Sequence, residues 1–405
     1  SATIPSTHSS YSAVRKEKDI AAGAMMGVRV ATGKALMILV AVSIICAGGG
    51  VVASPAAAEE VPLVPAVYVF GDSTMDVGNL GNFTPSPPYG VDLPLGIVPR
   101  FSNGYNMADS ISRLLGFDMS PPAYLSLTPE TSVEILKGLG GVNYASGGSG
   151  ILDITHNADL PLSKQVEYFA ATKAKMIENG TVDIDALLSK SLFLISDGGN
   201  DMFDFIFKGR SIFEFPSFHR DLLSNYTKYV QTLYGLGARR FGLIDVPPVG
   251  CVPMMRYILS KAGLDMCERV ANGLAEGFNK KLSIEMAKLA DSLPGMRYSV
   301  GSSYKLVTNY TAHPEAAGFD DVKSACCGGG MFGMETLCVP DVTTCPNHDD
   351  HLFWDAVHCT QATSNKGAEA IFAAPVGLNF TAPINFKQLL LDDQPTPSAV
   401  NLLTS

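Results

Sequence analysis

Ser73 follows the short apolar run Ala66–Phe70 (AVYVF) and the strand-breaking Gly71, so its hydroxyl falls just past the carboxyl end of a buried strand. In open α/β sheets, ligands and reacting groups are held at that edge. Gly-Asp-Ser alone is ordinary turn chemistry, and three later segments change its meaning. Residues 141–150 (GVNYASGGSG) join a short strand to a glycine-rich loop, whose backbone N–H groups can approach a ligand closely. Leu192–Ser196 runs into Asp197-Gly198-Gly199-Asn200-Asp201, ending another strand in a turn that carries a side-chain amide. Phe353-Trp354-Asp355-Ala356-Val357-His358 sets a carboxylate, Asp355, three residues before a histidine, His358. In this order the segments supply a nucleophile, two kinds of oxyanion donor, and a base with an orienting acid. Acyl transfer through a covalent serine ester requires that set, because a free hydroxyl is a weak nucleophile at neutral pH.

Other chemistries fit less well. The glycine-rich loop lacks G-x-x-x-x-G-K-S/T, and no G-x-G-x-x-G precedes a well-placed acid, so a nucleotide cofactor is not expected. No G-x-S-x-G elbow occurs either, which argues against the α/β-hydrolase design. His348-Asp349-Asp350-His351 has metal-ligand residue types at close spacing, but adjacent aspartates are ordinary loop composition. The cysteines show no repeated C-x-x-C, a poor match to zinc. The reading is therefore of no metal and no cofactor.

The elements that must position these residues are legible as strands at Ala66–Phe70, Gly141–Tyr144, Leu192–Ser196, Phe241–Asp245 and Arg297–Gly301. Helical patterns lie between them, at Tyr168–Ile177, Phe218–Leu236 and Cys267–Leu293. Strands alternating with helices predict a parallel sheet covered on both faces. The run Met202, Phe203, Phe205, Ile206, Phe207, Ile212, Phe213 and Phe215 fits either an acyl groove or core packing. The stretch after Pro383 is Pro- and polar-rich and is expected on the surface or disordered.

Of 405 residues, 46% are hydrophobic and 17% charged, enough for a sizeable core. The net charge of −10 argues against nucleic acid as a partner. From Met25 or Met26 a weakly basic start, an apolar run at 35–47 and Ala56-Ala57-Ala58 form the three-part pattern of a secretory signal peptide. The apolar run is short for a membrane span. Residues 1–58 are thus set aside as leader, 1–24 as extraneous, and 59–405 as a single domain. Five sequons, at Asn82, Asn179, Asn225, Asn309 and Asn379, agree with a secreted glycoprotein. Once Cys46 leaves with the leader, seven cysteines remain, an odd number that leaves one unpaired.

The chain resembles the plant-type GDSL esterase/lipases of the SGNH hydrolase superfamily over nearly all of 59–405. The resemblance rests on FGDSTMDVGN (70–79), RFSNG (100–104), NYASGGSGI (143–151), GGND (198–201), PPVGCVP (247–253), CCGGG (326–330) and FWDAVH (353–358). It implies a flavodoxin-like three-layer α/β/α sandwich around a mainly five-stranded parallel sheet. It also implies Ser73 as nucleophile, His358 as general base and Asp355 as its orienter. The oxyanion hole implied combines the backbone N–H groups of Ser73 and Gly148, with Gly147 as the adjacent alternative, and the Asn200 amide. Two positions depart from the family pattern: Cys359 stands where a proline usually follows the histidine, and Leu80 where a second Asn follows Gly78-Asn79. The other six cysteines match family positions, implying a Cys251–Cys267 bridge and two more among Cys326, Cys327, Cys338 and Cys345. Cys359 is then the free thiol or a link to another chain; either protonated His358 beside it makes its thiolate more available, or the thiol is buried and inert. The expected activity is a secreted carboxylic-ester hydrolase, monomeric and without a stable membrane anchor. Its ester substrate could be a lipid, an acetylated polysaccharide or an acylated metabolite. An acyltransferase using the same site, and a ligand-binding glycoprotein without turnover, are the alternatives.

Overall fold

The computed structural model describes residues 61–391, apart from 81–85, 95–98, 157 and 182. The leader, Asn82 and the tail beyond 391 lie outside these residues. Five parallel strands form where the apolar runs predict them: β1 (Ala66–Gly71), β2 (Gly140–Asn143), β3 (Leu192–Ser196), β4 (Arg240–Ile244) and β5 (Arg297–Gly301). They lie in the order β2-β1-β3-β4-β5. Val67 pairs with Gly141 on one side and Leu192 on the other.

Helices Leu162–Glu178, Phe215–Gly235 and Arg269–Ser292 pack together as one layer, and Met107–Leu114, Gln361–Ala373 and Phe386–Leu391 as another. The fold is α/β, a mostly parallel sheet with helices on both sides. β1 is buried along its length, which is why its sequence runs apolar without alternating. Its rings meet their neighbours edge-on and stacked: Tyr68 lies 5.0 Å from Phe169, and Phe70 5.2 Å from Tyr144.

Two small pairings were not expected. A separate parallel pair joins β6 (Asp321–Ala325) to β7 (His351–Phe353), and a two-residue antiparallel strand, β8 (Thr381–Ala382), closes the β5 edge. The expectation for the stretch after Pro383 needs correcting as far as residue 391. Phe386–Leu391 is a helix with Phe386, Leu389 and Leu390 buried. Phe386 fills the room above Gly242, where a Cβ would come within 2.8 Å of its ring. Arg240 and Arg297 donate to the carbonyls of Leu390 and Gln388 at 2.8 and 3.0 Å.

The strand order reverses between β1 and β3, and that crevice is where such sheets bind ligands. Gly71 makes the close approach possible. Its φ is +145°, and a Cβ there would sit 2.0 Å from the Ser196 carbonyl oxygen of β3. Ser73 and Asn200 therefore emerge on either side of the reversal.

Candidate active site

Ser73 lies in the loop after β1, and Asp355 and His358 in the turn between β7 and helix Gln361–Ala373. His358 Nε2 is 2.7 Å from Ser73 Oγ, and Nδ1 is 2.8 and 3.0 Å from the Asp355 carboxylate oxygens. An ionised carboxylate only accepts, so the ring proton sits on Nδ1 and Nε2 is left to accept from the serine hydroxyl. Asp355 is fixed by more than the imidazole. Its Oδ1 accepts from the backbone N–H groups of Val357 and His358, and its Oδ2 from the Tyr89 hydroxyl at 2.7 Å. Phe101 lies against the imidazole, with ring centroids 5.2 Å apart.

The glycine-rich loop and Asn200 come to the other side of Ser73. The Gly147 N–H donates to Asp76 Oδ2 at 2.8 Å. The N–H groups of Gly148 and Ser73 have no acceptor among the described residues. Asn200 Nδ2 donates one hydrogen to the Ser149 carbonyl at 2.8 Å, which leaves its second hydrogen free for a ligand. Of the two adjacent glycines, Gly148 thus has the available donor.

Serine, imidazole and Asn200 line one half-enclosed cleft, with the Asp355 carboxylate behind the imidazole. A hydroxyl hydrogen-bonded to an oriented imidazole beside uncommitted donors is the geometry of acyl transfer.

Comparisons with known proteins give the family. A family model described as GDSL-like Lipase/Acylhydrolase matches residues 67–371. The chain belongs to this family. The GDSL esterase/lipase APG of Arabidopsis thaliana is 34% identical over 337 residues, covering 79% of this chain and 92% of that protein. GDSL esterase/lipase At2g04570 of the same plant is 36% identical over 327 residues, covering 76% and 90%. The crystal structure of the lipase Lip_vut3 from a goat rumen metagenome matches with a TM-score of 0.34 and 11% identity, over 75% of this chain and 94% of that one. This GDSL family member is a hydrolase acting on ester bonds.

The electrostatics of the GDSL site follow from burial and partners. Burial alone would raise the Asp355 pKa, but the charge of His358, with hydrogen bonds from His358, Tyr89 and the Val357 N–H, holds it below the usual carboxylate value. Burial alone would lower the His358 pKa. The Asp355 charge and hydrogen bond, joined by the charge of Asp72, hold it above the ordinary 6.5. Asp197 goes the other way. Burial, then the charges of Asp72 and Asp201, lift it well above the usual range, against hydrogen bonds from Ser149 and the Gly198 N–H.

Several supporting residues were not singled out from sequence. Gln165, on helix Leu162–Glu178, accepts from the Gly71 N–H and donates to the Gly71 carbonyl and to Ser149. Asp76 accepts from the N–H groups of Gly78, Asn79 and Gly147, tying the nucleophile loop to the glycine loop. Asp201 accepts from Ile151, Leu152 and Thr155, anchoring the far end of that loop. Arg100 and Asp109 form a buried two-pronged ion pair, at 2.7 and 2.9 Å, with Arg100 next to Phe101 in the sequence. The advance signal for Asp76, Arg100 and Asp201 was their place within the family motifs; Gln165 lies in none of them.

The cysteines pair as Cys251–Cys267, Cys326–Cys345 and Cys327–Cys338, leaving Cys359 free. Cys326 and Cys327 pack on Trp354, and their N–H groups donate to the Phe353 and Trp354 carbonyls, so the disulfides brace the turn that carries Asp355 and His358. Of the two readings of Cys359 the inert thiol is the one favoured: the side chain is half-buried, and desolvation, reinforced by the Asp355 charge, pushes its thiol up to about 12. The aromatic run is not a groove as a whole. Met202 and Phe205 are in the core, Phe207, Ile212 and Phe213 are exposed, and Phe203 lines the cleft.

His348 and His351 take separate partners, Asp92 with Thr344 and Asp350 respectively. The cluster Cys326, Cys345 and His351 has metal-ligand spacing, but its two sulfurs are joined in a disulfide.

Proposed function

We propose that this chain is a secreted serine carboxylic-ester hydrolase working through an acyl-serine intermediate. Ser73 Oγ attacks the ester carbonyl as His358 Nε2 takes its proton. The carbonyl oxygen, now negative, is held by the N–H groups of Ser73 and Gly148 and by the Asn200 amide. The C–O bond to the alcohol breaks as His358 returns the proton to the leaving oxygen. Water then repeats the sequence on the acyl-serine, releasing the acid and restoring Ser73. Asp355 fixes the imidazole tautomer and stabilises its cation.

The observation that carries the reading is the unbroken line Ser73 Oγ–His358 Nε2, His358 Nδ1–Asp355 at 2.7 and 2.8 Å, at the wall of a cleft. Turnover of p-nitrophenyl esters by wild type and Ser73→Ala tests it. The variant should keep its fold and lose hydrolysis, and retention of more than a few per cent of turnover would refute the assignment.

Passage through the secretory route has three supports: the leader pattern before Glu59, the three disulfides, and the exposure of Asn179, Asn309 and Asn379 at their sequons. Among the described residues no helix is long and apolar enough to cross a membrane. The mature chain then begins at Glu59 and carries N-linked glycans at exposed sequons.

A further inference from the structure

The cleft is larger than the chemistry of an ester bond requires, and it extends to one side. Gly148 stands after β2, whereas the cleft runs from Ser73 across the ends of β3, β4 and β5 and under the imidazole. Beyond His358 its walls change character. They are mostly apolar: Leu306, Val307 and Tyr310 on helix Ser303–Ala312, Met107 on helix Met107–Leu114, and Cys359 and Gly367 beside and on helix Gln361–Ala373, where Thr363 and Ser364 are the polar exceptions. Leu306, Val307 and Tyr310 are buried, and burial keeps the Cys359 thiol uncharged. Ser303 to Tyr310 spans about 10 Å of helix axis, which gives the scale of this extension. Gly367 lies at the convergence of two walls: a Cβ there would be 3.0 Å from Met107 Cε and 3.9 Å from Leu306 Cδ1. Its missing side chain lets the Met107 methyl close on this wall, so any side chain added there must displace that methyl or enter the cleft.

We infer that this extension is an acyl-chain pocket for saturated groups of about four to eight carbons, with Gly367, Met107 and Leu306 setting its depth. The scale follows from the cleft as a whole, catalytic end included. It holds about 140 Å³, and an apolar cavity of about 150 Å³ accommodates benzene, a six-carbon ligand, so the acyl chain and its ester carbonyl share that space.

The assignment to the acyl half follows from the reaction order. The alcohol must leave and water must enter while the acyl group stays bonded to Ser73. An apolar, half-enclosed recess suits the part that stays, and the open mouth suits the part that departs. The inference rests on the ester-hydrolase reading and narrows its substrate class to short and medium acyl esters rather than long-chain lipids.

The test is kcat/KM for p-nitrophenyl esters from acetyl to palmitoyl, alongside acetate esters whose alcohol is lengthened instead. Wild type should gain about fourfold per added acyl methylene up to butanoyl, peak between butanoyl and octanoyl, and fall at least tenfold by dodecanoyl. Gly367→Leu should lower the hexanoyl-to-acetyl ratio at least tenfold, the size of effect that a methylene-scale mismatch produces in an apolar pocket. Gly367→Ala, which helix propensity favours, should lower it several-fold and serves if the leucine variant folds poorly. A flat profile, efficient palmitoyl hydrolysis, or an unchanged ratio in Gly367→Ala would overturn the pocket. A response to alcohol length in place of acyl length would overturn the acyl assignment and give the pocket to the leaving group. Absence of hydrolysis for every ester, or activity surviving Ser73→Ala, would instead refute the hydrolase reading itself.

Discussion

Asp355 and Asp197 are both buried carboxylates beside the same cleft, and their pKa values are displaced in opposite directions. Asp355 faces an imidazole that becomes a cation and collects donors from Tyr89, Val357 and His358, which keeps it ionised. Asp197 has two neutral donors, Ser149 and the Gly198 N–H, and two carboxylates, Asp72 and Asp201, for neighbours, which favours its protonated form. Burial raises both pKa values, and the partners decide which carboxylate stays charged. In the proposed mechanism, one side of the cleft then holds the charge that supports proton transfer, while the other serves as scaffold beneath the proposed oxyanion donors.

The largest effect should come from breaking the charged side. Asp355→Asn should lower kcat by about 10⁴-fold, the scale seen when the orienting carboxylate of a serine triad is replaced by its amide. Steady-state kinetics would show it, and a loss of only a few-fold would remove Asp355 from the proton-transfer unit. On the oxyanion side, Asn200→Ala should cost about 10²–10³ in kcat with little change in KM, because the amide acts on charge that develops in the transition state. A rise in KM at constant kcat would instead make Asn200 a ground-state binding residue.

Asp72 sharpens the comparison, since its charge reaches both His358 and Asp197. The His358 pKa is raised in the free enzyme, so the base is released only as pH climbs past the ordinary histidine value of 6.5. The acid limb of kcat/KM should accordingly lie above 6.5, and Asp72→Asn should move it to lower pH by removing a negative charge that favours the imidazolium. An upward shift, or none, would contradict that coupling.

Asp197→Asn should have the smallest effect, within a few-fold of wild-type turnover, because the amide resembles the protonated acid. Its signature lies in stability. A carboxyl whose folded pKa is raised stabilises the fold fully below its ordinary pKa, 3.8, and loses that contribution as pH rises towards the folded value. Denaturation midpoints of wild type should therefore fall relative to the variant as pH rises through that window. Parallel curves would show Asp197 to be ordinarily ionised.

The two sides also differed in how far sequence revealed them. Ser73, Asn200, Asp355 and His358 sit at strand ends or in a turn whose local sequence marks them, and the five parallel strands follow from short apolar runs between helical or loop stretches. Tyr89 and Gln165 carry no local mark, because their partners Asp355 and Gly71 are 266 and 94 residues away along the chain. β8 is two residues long, too short for any periodicity to register. The helix after Pro383 was hidden by polar and Pro-rich composition, although Phe386, Leu389 and Leu390 give it a buried face. The state of Cys359 stayed open because sequence shows its neighbour His358 but neither its desolvation nor the opposing charge of Asp355.

The central claim is that Ser73 becomes covalently acylated with His358 as its base. Intact-mass and peptide-mapping measurements after treatment with a p-nitrophenyl phosphonate ester test it most directly. Wild type should gain one phosphonyl group, located on Ser73, with hydrolysis lost in proportion to labelling; His358→Ala should label far more slowly, and Ser73→Ala not at all. A stoichiometric adduct on another residue, or undiminished hydrolysis in fully labelled protein, would contradict it.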